Sequence, residues 1–122
     1  MVGFDPMVTY EQMRDAYARR TAERAEADAT EMVRLRSLLP AIVRHLQGLG
    51  AVEIYLFGSL TDGRFGADSD VDLATRGLGF HEALRAAATC AELLDRAVDV
   101  VRLEDAPPPL VARVTQTGVR LS

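Results

Sequence analysis

Apolar residues recur at three- to four-residue steps early in the chain, at Tyr10, Met13, Ala16/Tyr17, and again at Met32, Val33, Leu35, Leu38 and Leu39. Residues 8–38 contain no Gly or Pro and are rich in Ala, Arg and Glu. This pattern predicts a long helix. Thr9 with Gln12 three residues on has the form of a capped helix start. Between residues 22 and 29 the stripe thins to alanines. At about 1.5 Å per residue the helix is roughly 45 Å long, more than a small domain can cover. Part of it is expected to project, to bend back over the rest, or to pack on a partner or a second copy of the chain. Pro40 is read as the start of a second, short helix over residues 41–49, closed by Gly48 and Gly50.

After Gly50 the period changes. Residues 52–57 (VEIYLF) are β-branched and aromatic, a strand. Gly58 ends it, and residues 59–69 hold Gly63, Gly66 and several Asp and Ser, a loop. Residues 70–75 (DVDLAT) alternate polar and apolar, a second strand broken by Gly77 and Gly79. Residues 80–96 read as a helix with Ala83, Leu84, Ala87, Ala91 and Leu94 on its apolar face. Residues 97–103 (AVDVVRL) are a third strand, and 106–109 (APPP) a stiff extended connector. A short helix over 110–116, stopped by Gly118, and a short strand over 119–121 complete the chain. The result is an α/β (α+β) protein: a mixed sheet of about four strands packed against helices, led by a long N-terminal helix. Residues 1–49 form a helical extension and 50–122 the core of one compact domain.

The chain of 122 residues is 48% hydrophobic and 26% charged, which fits one soluble domain with one core. No apolar run approaches the ~20 residues that span a bilayer. The first residues, MVGFDPMVTYEQMRD, lack the basic and apolar regions of a signal peptide. The expectation is a cytoplasmic protein without a membrane partner. Residues 1–46 carry seven Arg against seven Asp and Glu; residues 47–122 carry seven Arg against eleven. The whole deficit behind the net charge of −4 thus lies in the second segment. Without a basic surface to neutralise phosphates, a long nucleic acid is disfavoured as substrate. All basic residues apart from His are Arg, so neither a P-loop nor a catalytic lysine can be drawn. The single cysteine, Cys90, reads as a small buried apolar residue, and His45 and His81 have no metal-ligand spacing.

Three features carry chemistry. Gly58-Ser59 closes a hydrophobic strand, where exposed backbone N–H groups and a hydroxyl can cradle an anion and glycine permits close approach. Alone it is equally a turn. Asp70 and Asp72 alternate with Val71 and Leu73, so on a strand both carboxylates share one face. They form either a solvated polar face or a site for a hard cation such as Mg²⁺, which offsets their repulsion. Asp99 lies between Val98 and Val100 in the third strand. It is either an outward-facing acid or a third carboxylate brought beside the pair.

Taken together, the segment LFGSLTDGRFGADSDVDLA and the later strand-embedded Asp99 resemble the active-site pattern of the DNA polymerase beta-like nucleotidyltransferases. Length and single-domain economy look most like the minimal nucleotidyltransferases. The resemblance spans roughly residues 51–121 and includes GLGFHEAL, AVDVVRLEDAP and VTQTGVRL. It implies a nucleotidyltransferase fold with helices on one sheet face. By the same resemblance Gly58 and Ser59 grip the ATP phosphates, Asp70, Asp72 and Asp99 are catalytic and hold two Mg²⁺ ions, and Asp99 helps deprotonate the acceptor. Many relatives carry Arg three residues after the serine. Here that position is Asp62, and Arg64, or Arg76 in its place, is the candidate phosphate contact. Phe65 is a loop anchor or an adenine stacker. The implied function is transfer of AMP from ATP to a hydroxyl, a tyrosine of a partner HEPN toxin, with this chain as antitoxin. The alternatives are a non-catalytic antitoxin that binds its partner and an enzyme acting on a small molecule.

Overall fold

The structure, a computed structural model, describes residues 9–62, 66 and 69–122, apart from the side chains of Leu60 and Asp62. Its first element, α1, spans Tyr10–Gly48. The expected cap is present: Gln12 N donates to Thr9 Oγ1 at 3.2 Å and Thr9 N to Gln12 Oε1 at 3.0 Å. These bonds satisfy two donors that a helix start leaves unpaired. The break expected at Pro40 does not occur. Leu35, Ile42 and Leu46 keep one phase across the proline and are buried, while Pro40 is exposed. Its missing N–H forfeits one hydrogen bond on the wet side, and the packed side carries the helix through.

A helix of 39 residues is about 58 Å long. Its C-terminal half supplies the core contacts, whereas residues 10–27 are exposed apart from the half-buried Ala16. Of the outcomes open to the long helix, it projects. Tyr10, Met13 and Tyr17 lie on that projecting part, more than half exposed. At about 100° per residue they continue the line of Leu35, Ile42 and Leu46.

Then follow β1 (Glu53–Phe57), α2 (Ser59–Asp62), β2 (Val71–Arg76), α3 (Phe80–Leu94), β3 (Val98–Arg102), α4 (Pro108–Thr117) and β4 (Val119–Arg120). Among the described residues these four strands form one sheet in the order β3-β2-β1-β4. β1 pairs antiparallel with β2 and β4, and β2 pairs parallel with β3. The sheet is mixed, as the sequence implied, with strand limits shifted by a residue or two.

Period-two alternation gives each sheet face its own core. Ile54, Leu56, Val71 and Leu73 pack with Leu35, Ile42 and Leu46 of α1 and with Ala83, Ala86, Cys90 and Leu94 of α3. Tyr55 and Ala74 point the other way and meet Leu103 and Val114, with Leu110 and Val111 alongside. Helices therefore cover both faces, not one, because α4 returns beneath β1. Two local expectations also change. α3 turns Ala86 and Cys90 inward and leaves Leu84 58% exposed, since an alanine-rich helix offers no sharp apolar stripe. The stiff connector is shorter than read: Pro107 caps α4 and Pro108 begins it, where a missing N–H costs nothing.

Candidate active site

Strand register gathers the acidic residues. Phe57 pairs with Asp72 across the antiparallel β1–β2 ladder, and Asp72 pairs with Asp99 across the parallel β2–β3 ladder. With strands about 4.8 Å apart, Asp72 stands between Asp99 and the end of β1. Asp70 precedes β2 and, two residues before Asp72, shares its face. That face is the one opposite α1 and α3. Asp70 and Asp99 are exposed and Asp72 is half-buried. Burial, and then the charges of Asp99 and Asp70, hold the Asp72 carboxyl above its ordinary range.

Gly58 completes this corner. Its φ of +80° lies in the left-handed region, and a Cβ there would collide with Asp72 Oδ2. Glycine thus serves the turn and leaves room for the carboxylate. The chain then enters α2 at Ser59, and Thr61 donates through N (3.0 Å) and Oγ1 (2.9 Å) to the Gly58 carbonyl. That pins the turn next to Asp72.

Among the described residues no hydrogen bond or ion pair engages the Asp70, Asp72 or Asp99 carboxylates, and no group of three or more His, Cys, Asp or Glu is arranged to hold a metal ion by itself. The donor set nevertheless suits Mg²⁺. Its oxygens are hard, mutually repelling and, among the described residues, without a cationic partner. Mg²⁺ ordinarily takes one or two carboxylates and completes its shell with water and substrate phosphates.

Arg64 and Phe65 lie outside the described residues, as does the side chain of Asp62. Arg76 is not brought to the site. It sits at the far end of β2, four residues past Asp72, and pairs with Glu53 at 3.1 Å. A groove of about 230 Å³ opens along the edge strand β3, lined by Asp99, Val100 and the α3 residues Phe80, Leu84 and Ala87. Sequence reading passed over Arg96, whose guanidinium reaches the Ser69 carbonyl one residue before Asp70. Nothing in the local pattern marks an arginine that donates to carbonyls about thirty residues upstream. Cys90 is buried as expected. No helix among the described residues is long and apolar enough to cross a membrane.

The family model described as Polymerase beta, Nucleotidyltransferase matches residues 42–122 and so begins within the last turns of α1. No curated protein matches the chain. Among solved structures, a toxin–antitoxin complex with AMP-PNP is 31% identical, covers 66% of this chain and 69% of its own, and superposes with a TM-score of 0.61. A complex from Shewanella oneidensis, a tri-AMPylated HEPN toxin with an MNT antitoxin, is 26% identical over 75% of this chain and 71% of its own, with a TM-score of 0.56. A minimal nucleotidyltransferase is 28% identical over 75% of this chain and 92% of its own, with a TM-score of 0.58. With its acidic register, its Gly-Ser turn and a family match over most of its length, the chain belongs to the polymerase beta nucleotidyltransferase family.

Proposed function

We propose that this chain is a Mg²⁺-dependent adenylyltransferase that moves AMP from ATP to a tyrosine hydroxyl of a HEPN-type partner and so acts as its antitoxin in the cytoplasm. The observation that carries the reading is the register that sets Asp72 beside Asp99 and behind Gly58. The likeness to a toxin–antitoxin complex with AMP-PNP and to a complex holding an AMPylated HEPN toxin supports the nucleotide and the acceptor. The groove beside Asp99, walled by Phe80 and Leu84, suits an aromatic side chain presented at the sheet edge. The exposed line of Tyr10, Met13 and Tyr17 suits a macromolecular partner.

In this reading Asp70, Asp72 and Asp99 hold Mg²⁺, which when bound neutralises charge on the α-phosphate and the leaving pyrophosphate. Gly58 and Ser59 receive the β- and γ-phosphates, with Arg64 as a further contact. The acceptor oxygen attacks the α-phosphorus, a new P–O bond forms, and the bond from the α-phosphorus to its bridging oxygen breaks. Asp99 takes the hydroxyl proton, and pyrophosphate leaves.

The test is intact-mass spectrometry of the protein encoded by the adjacent gene after incubation with this chain, ATP and Mg²⁺. A gain of one or more AMP units, lost in Asp70→Asn/Asp72→Asn, is the expected result. A second reading draws on the lack of a complete carboxylate cage among the described residues: the chain neutralises its partner by binding alone. Full neutralisation by the double variant would favour it.

A further inference from the structure

We infer that Arg96 is a positioning residue for the acidic site, because its guanidinium fastens the backbone that immediately precedes Asp70. Arg96 follows α3 immediately after Asp95, which takes a left-handed φ of 51° at the helix end. Its side chain is only 11% exposed. Nη1 donates to the Gly66 carbonyl at 3.1 Å and to the Ser69 carbonyl at 2.9 Å. Those two residues also close on each other: Ser69 N donates to Gly66 O at 3.0 Å and Gly66 N to Ser69 Oγ at 3.0 Å.

On the other side of Asp70, Val71 N donates to the Ala97 carbonyl at 3.0 Å. Both neighbours of Asp70 are therefore held by the dipeptide Arg96-Ala97, one by side chain and one by backbone. Among the described residues Asp70 itself makes no such bond, and this bracket sets its place. The clasp is anchored in turn. Arg96 Nε lies 3.6 Å from Glu31 Oε1 on α1, and Arg34 Nε donates to Glu31 Oε2 at 2.9 Å. Arg34 also donates to the Leu94 carbonyl at 2.6 Å, tying α1 to the end of α3. A guanidinium presents donors in a fixed plane and can serve two carbonyls and a carboxylate together, which a lysine ammonium on a flexible stem does poorly.

The inference rests on the proposed metal role of Asp70. The experiment measures Mn²⁺ binding by calorimetry on the full chain, with amide hydrogen exchange at Ser69 and Val71, in wild type, Asp70→Asn, Arg96→Ala and Arg96→Lys. A partner once removed from a metal ligand typically changes affinity by about 10–100-fold. Arg96→Ala should therefore bind Mn²⁺ at least about tenfold more weakly and exchange both amides faster, with Arg96→Lys restoring little of either. Wild-type affinity and protection in a folded Arg96→Ala or Arg96→Lys, with binding lost in Asp70→Asn, would overturn the inference alone. Equal Mn²⁺ binding by wild type and Asp70→Asn would overturn the metal reading of the site and the inference with it.

Discussion

β2 builds two unlike surfaces from consecutive residues. Val71, Leu73 and Thr75 are fully buried against α1 and α3, whereas Asp72 on the opposite face stands in a gathering of carboxylates beside Gly58. The first surface holds the sheet in place. The second concentrates like charge, which no hydrogen bond among the described residues relieves. The difference teaches where stability and chemistry reside in so small a chain: the packed face carries an acidic face that would not hold itself together. The largest expected effect on stability is thus on the packed side. Leu73→Ala, which empties a site with no exposed surface, should cost about 2–5 kcal/mol in a denaturant titration. A loss below about 1 kcal/mol would mean that the two faces share the load more evenly than burial indicates.

This contrast was largely legible in the sequence because it is written in period two. Asp-Val-Asp-Leu states which residues go in and which go out, and Gly58-Ser59 marks the end of the neighbouring strand. Readings failed where the signal was weaker or not local. Pro40 looked like a boundary, yet the apolar phase from Leu35 to Leu46 crosses it intact. α3 is so rich in alanine that its inward face could be drawn two ways, and packing chose Ala86 and Cys90. Arg96 was invisible because it donates to the carbonyls of Gly66 and Ser69, about thirty positions upstream. Residue types do not announce contacts of that kind.

Gly58→Ala tests the seam between strand end and carboxylate. The left-handed backbone costs a non-glycine residue roughly 1–2 kcal/mol, and the new Cβ would displace the Asp72 carboxylate. Thermal unfolding should register the strain, and Mn²⁺ affinity should fall with it. Unchanged metal affinity would separate the turn from the acidic site. A smaller effect, of opposite sign, is expected on the packed face. Thr75 is fully buried and its Oγ1 has no hydrogen-bond partner among the described residues. Replacing the hydroxyl with a methyl in Thr75→Val should raise stability by about 1 kcal/mol without altering metal binding.

The smallest effect expected is also the most diagnostic. Asp72 is held above its ordinary carboxyl range by burial and by the Asp99 and Asp70 charges. In the unfolded chain it ionises near about 3.9. Because the folded value is raised, the folded state favours the protonated form. Its stability contribution is fully present below about 3.9 and is lost as pH rises through the folded value. At neutral pH the ionised carboxylate therefore opposes folding. Asp72→Asn keeps the shape and removes the charge, so its melting temperature at pH 7 should exceed that of wild type. The difference should vanish near pH 3, where both chains are neutral at this position. Mg²⁺ should raise the melting point of wild type and leave Asp72→Asn almost unmoved, since a ligand stabilises only the state that binds it. A variant no more stable than wild type at pH 7 would place the carboxylate in comfortable solvation and remove the electrostatic case for a cation there. A variant that gains stability while losing Mg²⁺ response would show that the acidic face is kept at the expense of the fold.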